Sequence, residues 1–318
     1  MNNVHFAAID IGSNAVRLTV KSIGKNADGV ASLEQDLLVR FPLRLGKDAF
    51  TKGKISKKKA GQLMLLMKSF HGMLKIFSVI AFRACATSAM RDAGNGKEII
   101  DKIQKKIGLP IEIISGEEEA RIIYETHIER ELGAGNDYLY MDVGGGSTQI
   151  SFIRAGKLIY SHSFNIGTVR MMNNRIRKKD RITFFSTLND LRRQYPDIKL
   201  VGSGGNINKL YKLLQEDKNS FRLNVERLKQ LNRELSLLSV EERMKKYRIK
   251  RDRAEVIGYA SYIFVNAAKV MRIDDIIVPS ISISDGIINK MFIDYLKEKE
   301  KSDGENANNA DIQKIIII

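Results

Sequence analysis

One cysteine, no tryptophan, four prolines and four histidines are all that the 318 residues hold of these types. A lone thiol, Cys85, rules out an internal disulfide framework and a cysteine-rich zinc site. With no histidine near it in sequence, it reads as a small core residue rather than a nucleophile. The histidines, at positions 5, 71, 127 and 162, lack metal-ligand spacing. Long apolar runs are also missing. The terminal Ile315–Ile318 is far shorter than the roughly 20 residues that a membrane span needs. The first apolar run contains Asp10 and has no basic segment ahead of it, so it does not read as a signal peptide. A reducing cytoplasm and no membrane partner are expected. Acids are the scarcer charge, 37 against 53 Lys and Arg, which leaves a net charge of +16. Such a balance raises the local concentration of anions. Nucleic acid is the default partner, but the chain has no interleaved aromatic-basic motif of the kind that stacks bases. A polyanion without bases suits the composition equally well, and no specific nucleic acid partner is expected.

What the chain does contain is a repeated plan. "HFAAI" leads through "DIGSN" into "AVRLTVKSI", and "YLYM" leads through "DVGGGST" into "QISFI". In each case an apolar strand ends at an aspartate, a glycine follows two positions later, and hydroxyl residues come next. Asp10 and Asp142 lie 132 residues apart, about one domain length. The reading is an internally duplicated α/β fold in which each half offers one hairpin loop. Between the repeats, Leu63, Leu66, Met67, Phe70, Leu74 and Phe77 form one helical stripe within 55–77. "SVIAFRA" and "IEIIS" read as strands, 88–108 as a broken helical region and "EEEARIIYETHIERELG" as a helix. After the second hairpin come a loop near "FNIGTVRMM", the strand-turn "IKLVGSGGNINKL", helices to about 271, a strand at "DDIIVPS" and a helix over 286–300. The domains are placed at 1–124, with the 286–300 helix as an addition to it, and at 125–300. Residues 301–318 are expected to be disordered. Two basic stretches, 52–59 and 243–253, are read as solvated faces or as tracks for a polymer.

Several loops carry candidate chemistry. Three consecutive glycines exceed what a hairpin turn needs, and bare backbone N–H groups suit an anion. In "ISGEEEARII", Ser115 and Glu118 fit a capping box, and acids in the first turn suit the helix dipole. Glu119 is not needed by that cap. Arg91 is read as opening a helix after a strand, where it opposes the dipole and is better spent on a phosphate. "VGSGGN" is a third turn from strand to helix, with Gly204 and Gly205 at a terminus that favours anions.

Taken in order, "AAIDIGSNAVRLTV", "ATSAMRDAGN", "IISGEEEARII", "YLYMDVGGGSTQISF", "IGTVRM" and "VGSGGNINKL" resemble the exopolyphosphatase and guanosine-pentaphosphate phosphohydrolase family, in the actin, sugar-kinase and chaperone-ATPase superfamily. The resemblance spans about residues 4 to 295. It implies two ribonuclease-H-like (actin-like ATPase) domains with the active cleft between them, in the short two-domain form. It further implies that Gly12, Ser13 and Asn14 form one phosphate loop and Gly144, Gly145, Gly146, Ser147 and Thr148 the other. Arg91 would neutralise phosphate and Glu119 would activate water, while Asp142 and Asp10 would hold Mg²⁺ or another divalent cation. The family usually has Glu where this chain has Gln149, which keeps an acceptor but loses a charge that would bind metal. The implied reaction is in-line attack of water on a terminal phosphoryl group of inorganic polyphosphate. Alternatives are a guanosine pentaphosphate 5′-phosphohydrolase, a weakly active or non-catalytic polyphosphate- or alarmone-binding protein, and a sugar-kinase-like ATPase. A homodimer is left open.

Overall fold

The computed structural model describes residues 4–303 except 26–28, 127–131, 134 and 215–219. The first half opens with strands β1 (His5–Ile11), β2 (Val16–Lys25) and β3 (Ala31–Phe41). Helices α1 (Leu45–Lys52) and α2 (Lys57–Ile76) lead to β4 (Ala81–Ala86). Then come α3 (Ser88–Asp92), α4 (Gly96–Ile107), β5 (Glu112–Ile113) and α5 (Gly116–Tyr124). The second half repeats the pattern with β6 (Tyr138–Val143), β7 (Thr148–Arg154) and β8 (Lys157–Phe164), followed by α6 (Thr168–Met172) and α7 (Lys178–Gln194). It continues with β9 (Lys199–Ser203), α8 (Gly204–Leu214), β10 (Arg222–Asn224) and α9 (Val225–Leu237). The chain closes with α10 (Val240–Tyr247), α11 (Arg251–Ala254), α12 (Ile257–Met271), β11 (Asp275–Ile277) and α13 (Ile283–Asp303).

The two sheets share one plan. The first is ordered β3-β2-β1-β4-β5, and the second, read from β8, runs β8-β7-β6-β9-β11-β10. In each, three antiparallel strands are extended by two parallel ones: β1 pairs with β4 and β4 with β5, as β6 does with β9 and β9 with β11. The short β10 adds an antiparallel edge to the second sheet only.

Each half buries its own core. One is built around Leu18, Leu63, Met67 and Phe70, the other around Phe152, Phe184, Leu228 and Phe264. A third cluster joins the halves: Phe6 and Cys85 from the first sheet meet Tyr138, Tyr140 and Val201 from the second, together with Ile287, Ile288 and Phe292 of α13. The helices cross over to make this seam. α5, at the end of the first half, packs on β7 and β8, while α13 returns to pack on β1 and β4.

The stripe expected over 55–77 is α2, entered from Ser56, whose side chain accepts from the Lys59 amide. Its buried members are Leu63, Met67, Phe70 and Leu74. Both third strands, β3 and β8, escaped the sequence reading, as did β10. α13 is longer than expected at both ends and takes in residues 301–303, while 304–318 lie outside the described residues. The helix read through "EEEARIIYETHIERELG" is described only as far as Tyr124 in α5, since 127–131, including His127, are outside. α3 also requires a correction. It is only five residues long, and Arg91 lies in its last turn, where a cation suits the dipole instead of opposing it.

Candidate active site in the cleft between the halves

The two hairpin loops close in the same way. The Gly12 amide donates to Ala15 O at 3.1 Å and the Gly144 amide to Ser147 O at 2.9 Å. Each glycine lies two positions after an aspartate, so Asp10 and Asp142 stand at matching ends of β1 and β6. In register, Asp10 faces Arg17 across the first hairpin and Asp142 faces Gln149 across the second. The repeat therefore places an arginine and a glutamine at equivalent positions.

The glycine triplet has a use that only the assembled halves reveal. A Cβ on Gly145 would lie 2.8 Å from Ser13 Cβ, and one on Gly146 would lie 2.3 Å from Phe50 Cζ and 2.4 Å from Ser88 Oγ. Two of the three glycines thus let the second loop press against the first half. Gly204 is another close approach, with φ +85° and the Asp142 carboxylate 2.4–2.8 Å from where its Cβ would be. This places Asp142 against the amino end of α8.

Between the loops lies a cavity of about 640 Å³, its open mouth included. Asp10, Gly12, Ser13, Asn14 and Glu119 line it from the first half, and Asp142, Gly144, Gly145, Ser147, Gly204 and Gly205 from the second. Four expected site residues stand outside its wall. Gly146 packs as described, and Thr148 Oγ1 donates to Ile166 O at 2.6 Å. Gln149, also buried, donates from Nε2 to Ser147 Oγ at 2.8 Å and Ser163 Oγ at 3.2 Å. Arg91 sits behind Glu119, donating to Ile114 O at 2.9 Å, with the Glu119 carboxylate at 3.8 Å.

The electrostatics are unusual for groups meant to be charged. Burial raises the Glu119 carboxyl to about 8; the Arg91 charge opposes the shift, and Asp142 and Asp10 add to it. Burial likewise raises Asp142 to about 7 against the pull of Arg17, with Asp10 adding. Glu119 Oε2 is buried and makes no hydrogen bond. Glu119 shares the cavity wall with two more carboxylates, Asp10 and Asp142, and a cation there would offset their charge. Among the described residues, no group of three or more His, Cys, Asp or Glu could hold a metal ion by itself.

Facing the acids are three arginines that sequence reasoning did not assign. Arg17 donates to Asp10 Oδ2 at 2.6 Å and Arg40 to Asp252 Oδ2 at 2.6 Å. Arg253 donates to Gly205 O at 2.7 Å and Asn206 Oδ1 at 3.0 Å. Burial, then the charges of Arg40 and Arg17, push Arg253 down to about 9, so it stays a cation at neutral pH in surroundings that disfavour one. Arg17 could have been found by overlaying the two repeats. Arg253 was inside the 243–253 stretch, of which it alone lines the cavity; Arg251 pairs with Glu241 at 2.6 Å and Lys246 with Glu234. Nothing in the local sequence marks Arg40.

Two sheets of one plan, with paired strand-end aspartates and glycine loops facing across a cleft, define the actin-like ATPase fold class: two ribonuclease-H-like domains, here with the candidate site between them. The sequence model of the Ppx/GppA phosphatase family matches residues 38–294, and the chain belongs to that family. It is therefore a phosphatase, a hydrolase of the exopolyphosphatase type. Among solved structures, a Ppx/GppA family member from Aquifex aeolicus is 26% identical, with a TM-score of 0.73, covering 94% of this chain and 99% of that one. A structure described as the type II variant of the Aquifex aeolicus Ppx/GppA phosphatase is 26% identical at TM-score 0.66, covering 90% and 99%. An exopolyphosphatase from Cytophaga hutchinsonii has the same fold at 22% identity and TM-score 0.76, covering 90% and 97%. No described helix is long and apolar enough to cross a membrane.

Proposed function

We propose that the chain releases terminal phosphate from inorganic polyphosphate. The observation that carries this reading is the opposition inside one cavity of three carboxylates (Asp10, Asp142, Glu119) and three arginines (Arg17, Arg40, Arg253). A phosphate chain complements both: preceding phosphates sit on the guanidinium groups while the terminal one reaches the acids. The choice of polyphosphate over guanosine pentaphosphate rests on the cavity wall, which includes no aromatic side chain for a base to stack on.

In this reading Glu119 orients a water molecule and accepts its proton as the water attacks in line. Arg91, next to Glu119 rather than in the cavity, favours the ionised carboxylate. The amides of the two loops and the three arginines bind and align the chain. Asp142, with Asp10 beside it, would hold Mg²⁺, which when bound supplies positive charge to the phosphoryl oxygens.

The test is phosphate release from long polyphosphate, triphosphate, guanosine pentaphosphate and ATP, with and without Mg²⁺. Polyphosphate should give the highest kcat/KM, and only with the metal. A higher kcat/KM for guanosine pentaphosphate would transfer the assignment to the nucleotide, and no release from any of the four would end it.

A further inference from the structure

Gln149 occupies the place across from Asp142 where a metal-binding carboxylate is expected from family resemblance, yet it does not line the cavity. Its amide nitrogen spends its two hydrogens on Ser147 Oγ and Ser163 Oγ. Ser147, in contrast, is part of the cavity wall, and among the described residues Gln149 is the only side chain bonded to its hydroxyl. A hydroxyl has one proton to give and lone pairs to receive. Because Ser147 Oγ receives from Gln149, its own proton remains available for an acceptor in the cavity. A carboxylate at position 149 would reverse this, drawing the Ser147 proton inward.

The second anchor reaches the helix that carries Glu119. A Cβ on Gly116, the first residue of α5, would lie 2.3 Å from Ser163 Cβ and 2.4 Å from Ser163 Oγ, so helix and strand are in direct contact there. One turn further along, Ser151 Oγ donates to Ala120 O at 3.1 Å. Gln149 thus sits between the loop hydroxyl and the seat of α5, tied to both through short side chains.

We infer that Gln149 is a positioning residue, not a vacated metal ligand: it acts through Ser147, turning that hydroxyl into a donor for a phosphate oxygen of the substrate. The inference rests on the cleft being the phosphate site proposed above. Its test needs no turnover, so the two readings can fail separately.

The measurement is calorimetric binding of inorganic triphosphate, without metal, to the wild type, Gln149→Met, Ser147→Ala and the double variant. Gln149→Met is neutral and removes both donors, so it should weaken binding about 3- to 10-fold, the range of one hydrogen bond. In the Ser147→Ala background the same change should have no further effect, because contributions made through a shared partner do not add. Equal weakening in both backgrounds would overturn the inference. The second arm is Mg²⁺ binding to Gln149→Glu. Affinity unchanged to within about 3-fold agrees with a residue outside the metal's reach, and a gain of tenfold or more would make position 149 a ligand site after all. If Gln149→Met does not fold, Ser163→Ala enters the same cycle. It removes one of the two anchors and should weaken triphosphate binding only while Ser147 is present; weakening that persists without Ser147 would count against the inference.

Discussion

Glu119, the proposed base, lies in surroundings that resist its charge. Replacement by Gln keeps shape and hydrogen bonding but removes the proton acceptor, so kcat should fall at least about 10²-fold while triphosphate binding survives. Near-native kcat in that variant would remove Glu119 from the mechanism. The same change bears on stability. A carboxyl raised in the fold from an ordinary 4.5 to about 8 contributes stability that is complete below the unfolded value and lost as pH climbs through the folded one. Metal-free Glu119→Gln should therefore melt several degrees above the wild type at pH 8.5 and level with it near pH 4. Equal melting temperatures at pH 8.5 would show that the buried charge costs nothing. For catalysis the sign runs the other way, since the base works when ionised. At limiting Mg²⁺, kcat/KM should rise with pH between about 7 and 8, the range to which Asp142 and Glu119 are raised, and the limb should move to lower pH as Mg²⁺ is added.

Among the elements, hairpins and loops were more readable than the sheets they belong to. β1–β2 and β6–β7 announce themselves because each is an apolar run ending at Asp and Gly. β3 does not, for it is an edge strand whose Glu34, Gln35 and Asp36 face solvent, leaving no apolar alternation to read. β8 has only Phe164 fully buried. The glycine triplet was legible as bare backbone, but its contacts with Phe50 and Ser88 involve residues about 60 to 100 positions away, and no local pattern encodes them. The candidate site divides similarly. Acids beside glycines were visible, whereas Arg40 depends on which strand ends face the cleft. Gly146→Ala tests the packing role directly. Its methyl would meet a ring carbon of Phe50 at 2.3 Å, so a loss of about 1–3 kcal/mol is expected, measured by denaturant unfolding. If stability is unchanged and only KM rises, the triplet serves phosphate approach alone.

Across the molecule, the halves are laced at the cleft by charge as well as by the apolar seam. Arg40 meets Asp252 and Arg44 meets Glu255 on one side, Arg170 meets Asp92, and Lys21 meets Asp285 at 2.7 Å. These pairs hold the cavity arginines and the opposite loops in one frame. Against the net charge of +16, a polyanion's capture should weaken with salt, by a slope of roughly 0.7 in log affinity per phosphate contact if single-stranded nucleic acid is a guide. Arg253→Met should raise KM for long polyphosphate at least about tenfold and flatten that slope by about one contact. Substituting Lys245, Lys246, Lys250 and Arg251, none of which lines the cavity, should leave KM for triphosphate unaltered. Parallel salt curves for the wild type and Arg253→Met would take Arg253 out of the substrate's path.

The equivalence of Arg17 and Gln149 reaches beyond this one site. Two identical chains paired about a twofold axis must carry the same residue at both loops, so whatever improves one contact is imposed on the other. Tandem linkage of the copies lifts that symmetry. One loop has an arginine clamped to its aspartate, the other an amide turned away toward two serines. With the copies joined in a single polypeptide, one hairpin can specialise in grip and its sister in alignment, each altered by mutation without a matching change in the other.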